Sequence, residues 1–410
     1  MKILHTSDWH LGSTWEGMDR SDDLLNRAIP DLVNIALKEK IDIVLVTGDI
    51  FERQTNEALE KAAQTLREPF RELLNARIDV ALLPGNHDSY PLFRFLRSAV
   101  ELVGDKENDR GKLHILNSLW ITQIRNLQII HLPYLRPEQI EKTFNEQSTS
   151  MPRSFDASHQ ELSRKLDQLA QHMRSRMDHS LPSLLAYHGV VRGATLGADE
   201  QAYEFTYHHD YMLSPESLLF NDRVPSYNAL GHVHKCQELS GAVPTWYAGS
   251  IDRLDRGERM YVPSVILVDY SDKKTKVDIE RRPLPRPTPF LDEEIKDEKE
   301  LKTLCNQLGP EGCKLALGRI TLNCESVQVY ILDEMVRDAF PRLKGVRGAV
   351  KRARSLISEV DNSSSVINLK ELINPIRTIQ TYISAKFSKE KQEELYKALA
   401  TVEAELDHDN

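Results

Sequence analysis

Cysteine is scarce in this 410-residue chain. Cys236, Cys305, Cys313 and Cys324 are its four cysteines, and no two form a Cys-x-x-Cys pair. That spacing argues against a disulfide framework and a structural zinc site, and fits reduced thiols in a cytoplasmic protein. No stretch approaches the roughly 18 apolar residues of a membrane span, so no membrane partner is expected. The opening Met1-Lys2-Ile3-Leu4-His5 runs at once into a strand and does not look like a signal peptide. A Gly-x-x-x-x-Gly-Lys-Ser/Thr run is missing, so the chain carries no ATP site of that kind. Excess positive charge is missing as well: the net charge is −9. This argues against nucleic-acid binding over the whole surface. It leaves a local contact open, because bound divalent cations reverse the local sign and phosphate contact needs only a basic patch. What remains is a globular composition, 40% hydrophobic and 28% charged, long enough for two or more domains.

Against that background stands an ordered set of short motifs. Asp8-x-His10, Gly48-Asp49, Gly85-Asn86-His87-Asp88, Tyr187-His188-Gly189 and Gly231-His232-Val233-His234 follow one another, most just after an apolar run. Taken singly, each has an ordinary explanation. Gly-Asp is a common turn, because Gly tolerates positive φ and Asp bonds its own backbone. Two histidines two residues apart share one side of an extended segment, and a structural pair is the plainer reading of them alone. Five such accidents in order, at strand ends, are much less probable than one site. Asp8, His10, Asp49, Asn86, His188, His232 and His234 are seven ligands suited to two divalent metals, and His87 is left as an acid–base candidate. Two metals about 3.5–4 Å apart clamp the attacking and leaving oxygens of an in-line phosphoryl displacement. The residues therefore imply a dinuclear phosphoesterase.

The layout supports that placement. Strands at Ile3 to Thr6, Ile41 to Val46 and Ile78 to Leu83 alternate with helices over about 22–38 and 56–76, which predicts parallel βαβ units. Ligands gather beyond the carboxyl ends of such strands, where Asp8, Asp49 and Asn86 fall. Residues 94–103 predict a helix whose Phe93, Leu96, Val100 and Val103 face the sheet or a second copy. Later strands, from 113 to 268, look antiparallel or mixed, and a polar stretch over 137–180 with one helix at 158–178 looks like a surface insertion. Arg281-Arg282-Pro283-Leu284-Pro285-Arg286-Pro287-Thr288-Pro289 is an extended connector and marks a domain boundary. A small α/β unit follows: an acidic helix over 292–307, a strand at 314–323, a strand or edge at 326–331 and a helix at 331–340. Arg342, Lys344, Arg347, Lys351, Arg352 and Arg354 form a basic run, either a solvated helix face or a phosphate or partner contact. Asn362-Ser363-Ser364-Ser365 reads as a flexible linker, and two helices over 368–386 and 389–405 carry apolar stripes too short to bury themselves.

Ile3-Leu4-His5-Thr6-Ser7-Asp8-Trp9-His10-Leu11-Gly12 resembles the opening of the SbcD-type exonuclease subunits of DNA double-strand-break repair, within the calcineurin-like metallophosphoesterase superfamily. Thr47-Gly48-Asp49-Ile50-Phe51, Pro84-Gly85-Asn86-His87-Asp88-Ser89, and Tyr247-Ala248-Gly249-Ser250 with Arg253 and Gly257-Glu258 extend the likeness. It is specific to about residue 280, looser over the small unit, and rests on layout for the tail. The resemblance implies an α/β fold: a metallophosphoesterase β-sandwich flanked by helices (1–280), a small α/β capping domain (281–345), a basic segment and linker (346–367), and a two-helix tail (368–410). It implies two Mn²⁺ ions per chain, with Mg²⁺ able to substitute. Asp8, His10, Asp49 and His234 would hold one, and Asp49, Asn86, His188 and His232 the other. It also implies DNA as substrate, 5′-phosphorylated products, a homodimer, and an SbcC-type SMC-like ATPase gripped by the C-terminal helices. His87 would stabilise phosphoryl charge or protonate the departing 3′-oxygen. Glu52 departs from the archaeal relatives, which carry His there. It is expected either to orient His87 or to lie solvated at a helix start. Two rival functions are a phosphoesterase acting on non-DNA phosphate esters and a scaffold that lost activity. The complete set of metal and acid–base positions argues against the second.

Overall fold

The structure is a computed structural model that describes residues 1–52, 56–103, 109–144, 155–195, 211–219, 224–270, 275–324, 326–345, 350–352, 392 and 395–396. It divides into two compact units, Met1–Phe290 and Leu291–Asn410.

In the first unit the strands are β1 (Lys2–Thr6), β2 (Thr14–Trp15), β3 (Met18–Asp19), β4 (Ile43–Thr47), β5 (Asp79–Leu83), β6 (Leu113–Ile115), β7 (Trp120–Ile124), β8 (Leu127–Leu132), β9 (Ser183–His188), β10 (Ser226–Gly231), β11 (Gln237–Leu239), β12 (Thr245–Tyr247), β13 (Ser264–Asp269) and β14 (Asp278–Pro283). One six-stranded sheet runs β14-β13-β1-β4-β5-β6, the other β11-β12-β10-β9-β8-β7. Alternate residues sort into three cores. Ile3, Ile43, Leu45, Ala81 and Leu83 meet Ile129, Leu184, Ala186, Tyr227 and Ala229 between the sheets. Their neighbours Leu4, Val44, Val46, Val80 and Leu82 turn the other way, onto Leu24, Ile29, Leu32, Leu66 and Leu73 of the helical layer. On the far side Ile130, Leu132, Leu185 and Leu230 pack with Leu162, Leu166, Leu169 and Met173 of the helix Phe155–Ser175. The result is four layers, helix–sheet–sheet–helix. Strands covered on both faces read as unbroken apolar runs, which is why β1, β4 and β5 stand out in the sequence.

Two expectations change here, and one holds. The helix Phe155–Ser175 is no surface insertion, since its apolar stripe closes the second sheet. That sheet is mixed, one of the two arrangements expected: β8, β9, β10 and β12 run parallel, with β7 and β11 antiparallel at the edges. The unit also ends after Phe290 rather than at 280. Arg281 and Arg282 still pair with Ile266 and Val265, Leu284 is buried, and Thr288 donates its amide to Asp252. Backbone pairing thus extends into the proline-rich segment.

In the second unit β15 (Phe290–Ile295), β16 (Leu317–Leu322) and β17 (Val350–Arg352) form a three-stranded sheet. The acidic helix starts only at Glu298, where Asp297 caps it by accepting from the Glu300 amide at 2.9 Å. Residues 326–331, expected as an edge strand, open the helix Ser326–Ala339, whose Val329, Leu332 and Val336 are buried at helical spacing. Of the basic run, Lys351 and Arg352 lie in β17, Arg342 and Lys344 in the turn Pro341–Gly345, and Arg347 and Arg354 fall outside the described residues. The linker and tail helices also lie outside them, apart from three helical residues at 392, 395 and 396. Among the described residues, no helix is long and apolar enough to cross a membrane.

At the amino ends of β4 and β5, Arg125 in the β7–β8 turn links the two sheets. It donates to Asp79 at 2.7 Å and Asp42 at 2.6 Å, and Asp79 also accepts from the Lys112 amide at 2.7 Å. Burial disfavours the charged form of Asp79, but His114, Arg125 and that amide outweigh it and bring the carboxyl down to about 2. A depressed carboxyl pKa stabilises the fold above its unfolded value and loses that contribution as pH falls through the folded one. Asp79→Asn should therefore cost about 1–3 kcal/mol at neutral pH. In urea unfolding, the gap from wild type should close between about pH 4 and 2. A gap independent of pH would show that the charge is not what Asp79 contributes.

Candidate metal centre

Each motif sits where a strand stops. β1 leads into Asp8, β4 into Asp49, and β5 into Asn86 and His87. β9 ends on His188, and β10 runs into His232 and His234. All five strands are parallel within their sheets, so their carboxyl ends share one edge of the sandwich. Leaving the strand within one or two residues requires sharp turns. Asp8 (φ 51°), His10 (φ 46°), Asp49 (φ 49°) and His232 (φ 97°) all take left-handed backbone, which is uncommon outside glycine and clusters at functional sites. Two glycines permit the close approach. A Cβ on Gly48 (φ 99°) would stand 2.0 Å from His188 Nδ1, and one on Gly85 would stand 2.2 Å from Asp49 Oδ1.

The seven ligand candidates come together in two groups that share Asp49. On one side His10 Nε2 lies 3.7 Å from Asp49 Oδ2, 4.0 Å from Asp8 Oδ1 and 3.1 Å from His234 Nε2. On the other, His188 Nε2 lies 3.3 Å from Asp49 Oδ2 and 2.9 Å from Asn86 Oδ1, and His232 Nδ1 is 2.9 Å from that same amide oxygen. Asp8 is fully buried and accepts from the His232 amide at 3.1 Å with both oxygens.

Three imidazoles are aimed by what holds their outer nitrogen. His10 Nδ1 meets Glu52 Oε2 at 2.6 Å, His234 Nδ1 meets Glu258 Oε1 at 2.6 Å, and His188 Nδ1 meets the Thr47 carbonyl at 2.7 Å. Carboxylates and carbonyls only accept, so each Nδ1 carries the hydrogen and each Nε2 turns inward. Two inward lone pairs 3.1 Å apart, on His10 and His234, repel unless a proton or a cation lies against them. Imidazole, carboxylate and amide oxygen without thiolate is a donor set that fits divalent ions of the Mn²⁺ or Mg²⁺ kind. The residues present therefore fit metal binding on both sides of Asp49.

The titration of the protein alone points the same way. Burial opposes the charge on His188, yet Asp49 raises it to about 9; burial opposes His234 likewise, and Glu258 raises it to about 10. Burial also opposes ionisation of Asp49 and Glu258, but His188 for the first and His234 for the second hold both well below the usual carboxylate range. Protons thus supply the positive charge that this carboxylate-rich pocket needs, and a cation binding there releases them. Asp88 is pushed up to about 6 by burial and by Asp49. It still accepts from the amides of Gly85 (2.8 Å), Ile50 (3.2 Å) and Phe51 (3.0 Å), tying the Asp49 turn to the Asn86 turn.

His87 lies at the rim with its side chain 38% exposed, and its amide donates to Asp49 Oδ1 at 2.9 Å. Glu52 stands beside His87, one of its two expected placements, and beside His10 as well. The same Oε2 stands 3.2 Å from His87 Nδ1 but only 2.6 Å from His10 Nδ1, so it supports a ligand candidate first. Glu258 and Asp88 lie within the sequence motifs, yet their roles show only in the fold. Their partners come from elsewhere in the chain, and spacing carries no signal for that. The Glu258 turn is held by its own amide on Asp255, by Leu254, and by Arg20, which donates to Asp252 and to the Arg253 carbonyl. On the His232 side Tyr134 stacks at 6.4 Å and 25°.

Glu52→Gln and Glu258→Gln each remove an anchor without removing a ligand candidate. Each should weaken Mn²⁺ binding by about ten- to a hundredfold, as loss of such partners does elsewhere. Calorimetric titration of the apo protein measures this. Affinity unchanged in both variants would mean that neither carboxylate aims its imidazole.

The sequence profile of the calcineurin-like phosphoesterase family matches residues 1–236, a span holding all seven ligand candidates, His87 and Glu52. Among curated proteins, the chain is similar to the D component of the nuclease SbcCD from Bacillus subtilis (strain 168), at 27% identity over 282 residues and 66% of each chain. It is also similar to the corresponding component from Rhodobacter capsulatus, 27% over 303 residues and 71% of each. That of Escherichia coli K12 is 26% identical over 293 residues, 67% of this chain and 66% of the relative. The chain thus spans about two thirds of the length of these curated relatives.

Proposed function

The chain belongs to the calcineurin-like phosphoesterase family, and on that premise we propose that it is the nuclease subunit of a DNA double-strand-break repair complex, a metal-dependent phosphodiesterase that cuts DNA. The observation that carries the reading is the buried Asp49 carboxylate shared by two ligand groups, in a chain whose relatives are named as components of a nuclease. Asp8, His10, Asp49 and His234 would hold one Mn²⁺, and Asp49, Asn86, His188 and His232 the second. Bound there, the pair supplies Lewis acidity towards the phosphoryl oxygens and activation of water near neutral pH. The protein's own side chains do the rest. Glu52, Glu258 and the Thr47 carbonyl keep three imidazoles aimed, so no reorganisation is needed as charge develops. His87 reaches outward from the rim, where it is able to give a proton to the departing 3′-oxygen, and Glu52 steadies its ring.

Asp49→Ala removes the shared carboxylate. It should abolish Mn²⁺-dependent cleavage of linear DNA, while the protein still folds and retains DNA binding. Cleavage assays on chelated, Mn²⁺-reconstituted protein, beside a generic phosphatase substrate, are the measurement. Wild-type turnover by the variant would sink the ligand assignment, and turnover of the phosphatase substrate alone by the native chain would favour non-DNA phosphate esters.

The partner reading is ours as well. Relatives named as one component of SbcCD support an SMC-like ATPase as partner, and the apolar stripe Leu369, Leu372, Ile373, Ile376, Ile379 and Ile383 after the serine linker is the segment we assign to it. Self-association is assigned to the helix Tyr90–Val103, which leaves Phe95 70% and Leu102 86% exposed. Truncation before about residue 365 should leave the nuclease unit folded and abolish copurification with the coiled-coil ATPase. Undiminished copurification would place the contact elsewhere on the chain.

A further inference from the structure

Beyond β8 the chain passes the His188–His232 side of the site and then the His87 rim in four residues. Tyr134 donates its amide to the Pro84 carbonyl at 3.3 Å and packs on His232 and His188, at ring distances of 6.4 and 6.5 Å. Two residues later comes Arg136, whose amide is fixed on Gln139 at 2.8 Å while its side chain is exposed. Among the described residues no carboxylate pairs with its guanidinium. Other arginines of this unit, Arg20, Arg27, Arg125 and Arg286, are all engaged with carboxylates. Arg136 instead lines a cleft of about 390 Å³ with His87, Ser89, Tyr90 and Gln139.

The position of that cleft matters. In an in-line displacement the leaving oxygen departs on the side of the group that protonates it. With His87 in that role, the remainder of the leaving nucleotide must run outward past His87, into the cleft. We propose that Arg136 holds the backbone phosphate adjacent to the scissile one on the leaving side, so that the site selects a polynucleotide over an isolated phosphate ester. This rests on the reading above that DNA is the substrate. A planar guanidinium presents paired N–H donors that match two phosphate oxygens, and in a chain of net charge −9 one without a carboxylate partner is well suited to a polyanion. Tyr90, 39% exposed on the same cleft, offers a ring to the neighbouring base.

The test compares the full chain and Arg136→Gln, both loaded with Mn²⁺, on a single-stranded oligonucleotide and on bis(p-nitrophenyl) phosphate, a diester with no second phosphate. The variant should lose about ten- to a hundredfold more kcat/KM on the oligonucleotide than on the small diester, mainly through KM. Its binding should also depend less on salt, by about 0.7 in the log–log slope. A single neutral methylphosphonate next to the scissile bond should cost the native chain the same factor and cost the variant nothing further. Equal losses on both substrates, or a methylphosphonate penalty undiminished in the variant, would overturn the proposal. An oligonucleotide cut equally well by both proteins removes the Arg136 contact and leaves the DNA reading standing. No Mn²⁺-dependent cut by the native chain overturns the DNA reading and this inference with it.

Discussion

The carboxylate of Asp49 is buried between two sheets and remains ionised, and the rest of the site is arranged around that fact. A buried charge is costly unless it is paired or coordinates a metal. Here burial is outweighed by His188, His10 and His87, drawn from three different strand ends. The His188 ring comes close enough to Asp49 only because Gly48 and Gly85 carry no Cβ. The second tier follows the same logic. His10 and His234 are themselves anchored by Glu52 and Glu258, so two of the inward imidazoles each have an outward carboxylate. Such a pocket concentrates acceptors around a space suited to metal ions.

The sandwich makes this crowding tolerable. Both faces of β1, β4, β5, β9 and β10 are covered, so the apolar cores carry the stability and the polar residues are confined to strand ends. At the opposite end, Arg125 links the sheets through Asp42 and Asp79. At the site end, left-handed backbone at Asp8, His10, Asp49 and His232 costs on the order of 1–3 kcal/mol each. A scaffold rigid on both sides is able to hold that strain in place. The turn bearing Glu258 is also braced: Arg20, wholly buried, reaches Asp23, Asp252 and Thr288 at once.

Much of this was legible in the sequence because βα units encode it locally. An apolar run followed by Gly-Asp or Gly-Asn-His marks a strand end, and parallel pairing places such ends on one edge whatever the details of packing. So the seven ligand candidates and His87 could be named from spacing, and they do converge. Apolar periodicity located most helices, Tyr90–Val103 and Asn56–Asn75 among them. It did less well where composition misled. The helix before β9 was expected, but its polar composition concealed the narrow stripe that closes the second sheet, and the proline-rich segment still pairs its backbone as far as Pro283.

The sequence by itself determined which residue types end each strand, and from them the chemistry of the pocket. Only the tertiary structure decided which groups stand behind those residues. His10 meets His234 across 224 positions, Glu52 turns first to His10 rather than His87, and Glu258 closes on His234 from a turn braced by Arg20. Arg136 came to the rim of the same site in the same way. The physical reason is that strand ends follow from local periodicity and turn preference. Contacts between ends depend on how two separate sheets stack, and no spacing along the chain encodes that distance.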